Sequence, residues 1–218
     1  NGRTNAIREK VFSKGYALQF EDITDYIMTL IPQEEEIDGG LRKEHIMFPR
    51  KAVREMLGNM IIHQDLTAHG SGPMMEVFDT RLEASNPGNL LVDVNRIIDT
   101  VPHSRNENIA SFLRIVRICE ERGSGFDRIE EGMGELKIPA PKVETGDDFS
   151  RTKLYWYNNL VKWSKEDKIR TCYLYTCYCY INEIQVSNSV LRERFGVDEK
   201  NKAIISRIVK ETMEAGFV

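Results

Sequence analysis

An α+β fold in two parts is what this sequence predicts, a mixed body of helices and short antiparallel strands followed by a purely helical tail. Three observations predict it. Amphipathic helical stretches alternate with short strand-like runs as far as residue 157. From Ser164 onward only helical periodicity remains, in three stretches. The charge divides along the same line: residues 1–150 hold 18 Lys and Arg against 26 Asp and Glu, whereas residues 151–218 hold 12 against 8. The two domains are accordingly placed at 1–157 and 158–218, and a chain of 218 residues that is 41% hydrophobic suffices for two modest cores.

Taken in order, residues 4–15 set Ile7 and Val11 on one helical face, and a second helix starting near Phe20 carries Ile23, Tyr26, Ile27 and Leu30 before Pro32. The acidic run of Glu34, Glu35 and Glu36 and the pair Gly39, Gly40 read as a solvated loop. Pro49 suits the first position of a helix reaching His63, because its missing N–H is one the helix start leaves unbonded anyway. Residues 74–78 and 81–85 form a hairpin turning at Asp79 and Thr80, and Asn86, Pro87 and Gly88 break the second strand. Residues 108–119 give an amphipathic helix with Ile109, Phe112, Leu113 and Val116 on its apolar stripe. A further helix runs from about Phe126 to Leu136, then a polar connection at 144–150 leads to a strand around 152–157. In the tail, helices are expected at 168–180, 188–195 and 198–215. Ser187 or Ser189 and Asp198 are the N-terminal caps, and Gly196 and Gly216 the C-terminal ones. Two helices joined by a tight turn at Gly196 read as a helix-turn-helix.

Several function classes drop out. No apolar run approaches the roughly eighteen residues a membrane span needs, and residues 1–10 are polar with mixed charge, so neither a span nor a signal peptide is expected and the protein is placed in the cytoplasm. Cys119, Cys172, Cys177 and Cys179 have no metal-ligand spacing and read as reduced thiols. The GK[ST] ending of a Walker loop is absent, and so is a helicase motor box, which removes helicase activity. A net charge of −4 argues against nucleic acid for the chain as a whole, but the basic tail argues for it locally.

On the helix from Pro49 to His63 the apolar stripe leaves Glu55 and Asn59 together at its border, one turn apart. A carboxylate that polarises water beside an amide oxygen that holds a hydrated divalent cation is what nucleotide hydrolysis asks of a protein; an ordinary surface pair has the same spacing. Gly123, Ser124 and Gly125 stand immediately before a helix, where backbone N–H groups suit phosphate, or where Gly123 simply ends the preceding helix. The order of these pieces carries more than each alone. Phe48-Pro49-Arg50 through Glu55, Asn59, Ile62 to Asp65, Phe78-Asp79, Arg81-Leu82-Glu83, Ser85-Asn86-Pro87-Gly88, Ser104 to Glu107 and Cys119 to Gly125 together resemble the bacterial RecG-related, Schlafen/AlbA-type regulators.

That resemblance implies a divergent GHKL (Bergerat) fold, a two-layer α/β sandwich, followed by a winged helix. It implies ATP and Mg2+ as ligands, with Glu55 as general base, Asn59 on the metal, Asn86 and Gly88 at the base, and Gly123, Ser124 and Gly125 at the phosphates. Asn86 stands where GHKL enzymes carry an Asp, and its amide oxygen still accepts one hydrogen bond. Arg105 either reaches phosphate or braces the glycine loop. The tail resembles the same family's terminal domain through Asn188, Leu191 to Gly196, Lys200, Asn201, Ser206 and Arg207. In its last helix Ile204, Ile205, Ile208, Val209 and Met213 are expected to pack inward, leaving Lys200, Asn201, Lys202, Ser206, Arg207 and Lys210 outside, as a recognition helix facing DNA needs and as the solvated face of a protein-contact module also has. The pattern stops at Val218, so the winged helix is expected to lack its wing. Implied partners are DNA, a second copy of the chain, and an N-terminal Schlafen/AlbA domain of the full-length protein. The function expected is transcription regulation by a nucleotide-responsive domain. An ATPase acting on nucleic acid and a non-catalytic scaffold for protein contacts stay open as alternatives.

Overall fold

Residues 8–31, 34–38, 41–45, 48–98, 100, 103–119, 125–156 and 159–217 are described by a computed structural model, residues 34–38 and 41–45 by their backbone alone. Seven α-helices and six strands lie among these residues. Helix α1 (Tyr16–Leu30) is followed by the hairpin β1 (Glu34–Asp38) and β2 (Leu41–His45), then by α2 (Arg50–His63). Strands β3 (Met74–Val77) and β4 (Arg81–Pro87) lead through a loop to α3 (Glu107–Ile115) and α4 (Gly125–Glu135). A second hairpin, β5 (Lys142–Thr145) and β6 (Phe149–Tyr155), completes the sheet, and α5 (Lys165–Ile181), α6 (Asn188–Phe195) and α7 (Lys202–Glu214) follow.

The sheet is antiparallel with strand order β3-β4-β6-β5, so the sequence-distant β6 lies beside β4 and pairs Leu82 with Leu154 and Ala84 with Thr152. Alternation decides its faces. Leu82, Ala84 and Leu154 point to one side and are buried under α2, whose Ala52, Val53, Met56, Leu57 and Ile61 form the stripe the sequence predicts. The other face carries charge. Glu83 is buried there with Arg81 (2.6 Å) and Arg151 (3.6 Å) against its carboxylate. Helices α1 and α4 flank α2 and close a single core with Phe20, Ile27, Ile129 and Met133.

Helix ends are held by specific partners. The C-terminal carbonyls of α2 are met by Asn106, whose side-chain amide donates to Ile62 O (2.9 Å) and Gln64 O (2.8 Å). Helix α5 starts in a capping box of Ser164 and Asp167, which the sequence reading, starting the helix later, passed over. Ser187 caps α6 by accepting from Val190 N, and Gly196 ends it in the left-handed region at φ 63°, both as expected. A second core of Trp163, Cys172, Leu191, Phe195, Ile205 and Ile208 joins α5, α6 and α7.

Several expectations are corrected. Residues 8–15 form no helix; α1 begins at Tyr16 after Gly15 at φ 94°, and residues 4–7 of that expectation lie outside the described residues. The acidic run is not a loop but β1, paired with β2 so that Glu36 opposes Lys43 and Ile37 opposes Arg42, cross-strand pairing invisible in either segment alone. Helix α3 stops at Ile115 rather than Cys119: Arg117 turns to φ 58° and Ile118 N donates back to Leu113 O (2.9 Å), a left-handed cap without the glycine that would have signalled it. Strand β4 runs through Asn86 and Pro87, paired with Ser150 and Phe149, and ends only at Gly88. The polar connection at 144–150 is largely the β5–β6 hairpin, closed by Gly146 N donating to Phe149 O (2.9 Å). Helix α7 begins at Lys202 after a short 3-10 turn at Glu199–Asn201 where Asp198 makes no side-chain cap, and Met213 faces out at 56% exposure.

Candidate functional site

A cleft opens between α2, the inner face of the sheet and the start of α4. Helix α2 contributes Glu55 and Asn59; β4 contributes Asn86, and β6 Ser150 and Thr152. The first turn of α4 adds Gly125, Phe126, Asp127 and Arg128, with Arg114 and Cys119 from the α3 end and Leu91, Ile97, Ile98 and Thr100 from the loop after β4. The cleft is lined by apolar side chains and by ionic ones together.

The contact between α2 and α4 is set by glycine. A Cβ on Gly125 would lie 3.3 Å from Asn59 Nδ2 and 3.4 Å from both Asn59 Oδ1 and Glu55 Oε2. The backbone at the start of α4 therefore rests directly on the acid and the amide. Gly58, between them on α2, similarly admits Cys119, whose Sγ would be 3.0 Å from an added Cβ. Burial, and then the Glu55 carboxylate, push the Cys119 thiol up to about 11, so it stays protonated and is no nucleophile at neutral pH. Asp127 is also pushed above the ordinary carboxylate range by burial. Arg128 Nη1 donates to Glu55 Oε1 at 3.0 Å.

Asn86 is 9% exposed, and its amide is fixed in orientation because Nδ2 donates to Met60 O at 2.8 Å. Among the described residues that leaves Oδ1 buried without a donor, an unmet acceptor on the cleft wall. Gly88 and Arg105 do not line the cleft. Gly88 turns at φ 93° where a Cβ would come within 2.9 Å of Asp65 Cβ, and Arg105 Nη2 donates to Asn89 O (2.7 Å) and Asn89 Oδ1 (2.9 Å) with Nη1 3.9 Å from Asp65. Among the described residues Arg105 thus holds Asn89, just after β4, beside Asp65, just after α2. Gly123 and Ser124 lie outside the described residues, as do Glu120, Glu121 and Arg122.

Arg128 and Arg114 were missed in the sequence. The signal for Arg128 was there, a basic residue in the first turn of a helix that opens on a glycine expected at phosphate. Arg114 instead depends on how α3 is oriented. In the tail, Lys200, Asn201, Lys202, Ser206, Arg207 and Lys210 are all exposed, along α7 and the turn before it. Asn188 Nδ2 donates to Lys202 O and Ser206 Oγ, both at 3.3 Å, so Ser206 is partly engaged in holding α6 to α7. Lys210 stands 3.7 Å from Glu214 and Lys200 3.8 Å from Asp198, exposed pairs that hold their lysines loosely.

Comparison with known proteins bears on the first part of the chain. Residues 70–154 match a family described as "Putative ATP-dependent DNA helicase recG C-terminal". This segment is similar to a GHKL-type, ATPase-like domain. It runs from just before β3 to the end of β6 and so holds the sheet, Asn86 and the start of α4, while Glu55 and Asn59 on α2 precede it. In fold the chain is similar to the DIP2311 protein from Corynebacterium diphtheriae, with a TM-score of 0.58 and 17% identity. The likeness covers 88% of this chain and 41% of that one, so the chain spans less than half the length of that structure. No curated protein matches.

No helix among the described residues is long and apolar enough to cross a membrane.

Proposed function

We propose that this chain is a nucleotide-responsive regulator that binds DNA, with Mg2+ and ATP held in the cleft between α2, α4 and the sheet. The observation that carries the reading is convergence: Glu55, Asn59, Asn86 and Gly125, far apart in sequence, line one cleft, and the segment holding two of them is similar to an ATPase-like family. In this reading Asn59 holds the magnesium ion through its amide oxygen and Glu55 is the candidate base for a water. The start of α4 presents backbone N–H groups to phosphate. The unpartnered Oδ1 of Asn86 accepts from the amino group of adenine.

The helical tail reads as a winged-helix domain, with α7 as recognition helix and Lys200, Asn201, Lys202, Arg207 and Lys210 as its DNA contacts. Two such units on a symmetric dimer would meet paired half-sites. Communication between the two functions is supported by packing: Leu174 and Cys177 of α5 and the Tyr173 ring lie against Ile97, Ile98 and Phe126, three residues of the cleft wall, and Tyr173 Oη donates to Asn95 O at 2.6 Å.

Calorimetric titration of Mg-ATP into the chain tests the reading. Binding in the micromolar range that is lost in Asn59→Ala is expected; a wild-type chain that takes up no ATP overturns it and leaves a scaffold.

A further inference from the structure

The ion pair between Arg128 and Glu55 is placed where it can read the ligand, an inference that rests on the nucleotide reading above. Arg128 stands in the first turn of α4, three residues after Gly125, and Glu55 faces it from α2 at 3.0 Å. Both side chains are about a quarter exposed, 25% and 22%. A pair that lines the cleft and stays partly open to water is within reach of a competing anion. A second guanidinium, Arg114 of α3, lines the same cleft and is bonded only to a neutral group among the described residues, with Nη2 donating to Ser111 Oγ at 2.9 Å. The cleft thus places two cations beside one amide suited to a metal ion.

We propose that Arg128 is the residue that distinguishes a nucleoside triphosphate from a diphosphate, and that its pair with Glu55 is the resting state of this reader. A terminal phosphate carries more charge than one carboxylate and accepts two parallel N–H···O bonds from a guanidinium. It therefore draws Arg128 off Glu55. A diphosphate is one phosphoryl group shorter, does not reach the guanidinium, and leaves the pair intact. Glu55 Oε1 is released from Arg128 only when the triphosphate is bound, which ties the availability of the candidate base to the ligand that needs it. Arg114 keeps its neutral partner in either state and serves general attraction of phosphate rather than discrimination.

The test is calorimetric titration of Mg-ATP and of Mg-ADP into the whole chain, as wild type, Arg128→Gln and Arg128→Lys. Loss of a hydrogen-bonded charge contact predicts that Arg128→Gln weakens ATP binding about ten- to hundredfold and ADP binding by less than about threefold. Arg128→Lys, which keeps the charge but not the fork, recovers part of the loss for ATP. Equal losses for the two nucleotides, or none for either, overturn the assignment of Arg128 while leaving nucleotide binding in place. A wild-type chain that binds neither nucleotide overturns both.

Discussion

Replacing Arg194 with Met tests how firmly the helical tail is fixed to the body. Arg194 projects from α6 into the first core: Nε donates to Glu130 Oε1 at 2.7 Å, Nη1 donates to Ile138 O at 2.9 Å, and both side chains are essentially inaccessible, at 1% and 0%. Gly134 leaves the room, since a Cβ there would meet Arg194 Cδ at 3.3 Å. Burial pushes the Glu130 carboxyl above its ordinary value of 4.5, and the arginine pulls it back. Without Arg194 the acid is held neutral in the folded protein but ionises in the unfolded chain, so the penalty is absent below pH 4.5 and grows as pH rises. At pH 7 the distance from 4.5, at about 1.4 kcal/mol per pH unit, bounds this penalty at about 3 to 4 kcal/mol. Loss of the bond to Ile138 adds about 1 kcal/mol. Urea unfolding of Arg194→Met at pH 7 is therefore expected to show a deficit of about 4 kcal/mol, in the range for a broken buried pair, falling to about 2 kcal/mol at pH 5. Because Glu130 Oε2 and Arg194 Nη2 have no partners, the pair is incompletely satisfied, and Arg194→Met with Glu130→Leu should regain most of the loss at both pH values. A deficit that does not change with pH, or a double variant worse than the single one, refutes this account.

Two further outcomes are expected. Burial, and then the positive charge of Arg105, hold the His63 imidazole below its ordinary value of 6.5, so the folded protein favours the neutral ring and the unfolded chain takes the proton first. Its contribution to stability is complete above 6.5 and lost as pH falls through the folded value, so His63→Gln should flatten the fall of melting temperature between about pH 7 and pH 5; an unchanged slope is the contrary result. For the tail, Lys202→Ala and Arg207→Ala should each lower the slope of log affinity for duplex DNA against log salt by about one, measured by fluorescence anisotropy, and a slope unmoved by both removes α7 from the interface.

How much of this could be read beforehand depended on where the information lay. The stripe on α2, the β3–β4 hairpin and the caps of α6 are local patterns, and Ala52 to Ile61, Val77 opposite Leu82, and Ser187 with Gly196 stand as the sequence indicated. Pairing between distant strands was not local. Nothing in residues 149–155 says that they lie against 81–87, and without that pairing the polar residues of β5 and β6 looked like a linker. Arg117 misled in a different way, taking a left-handed cap that only a tertiary arrangement makes worthwhile for a residue with a Cβ. In the site, Glu55, Asn59 and Gly125 could be singled out by residue type and spacing, and Asn86 by the family resemblance. Arg128 had a signal of its own, a basic residue in the first turn after Gly125, but its pairing with Glu55 showed only once α4 lay beside α2, because an ion pair between residues so far apart has no sequence signature.

Helix α4 explains why the cleft and the tail are not separate matters. An α-helix turns about 100° per residue, so Arg128 and Glu130, two residues apart, project from nearly opposite sides of α4. One side faces the cleft and meets Glu55; the other faces α6 and meets Arg194. Gly125 rests on Asn59 at one end of the helix, and Gly134 accommodates Arg194 near the other. The two contacts differ in kind. The pair on the cleft side is partly open to water, whereas the pair on the tail side is sealed and costly to break. Helix α4 also packs against α2 through Ile129 and Met133, so it is held from both sides, by the first core and by the Arg194 pair. Were a ligand that draws Arg128 away from Glu55 to shift α4, the sealed pair with Arg194 would pass the shift to α6, and the shared core of Leu191, Phe195, Ile205 and Ile208 would pass it to α7.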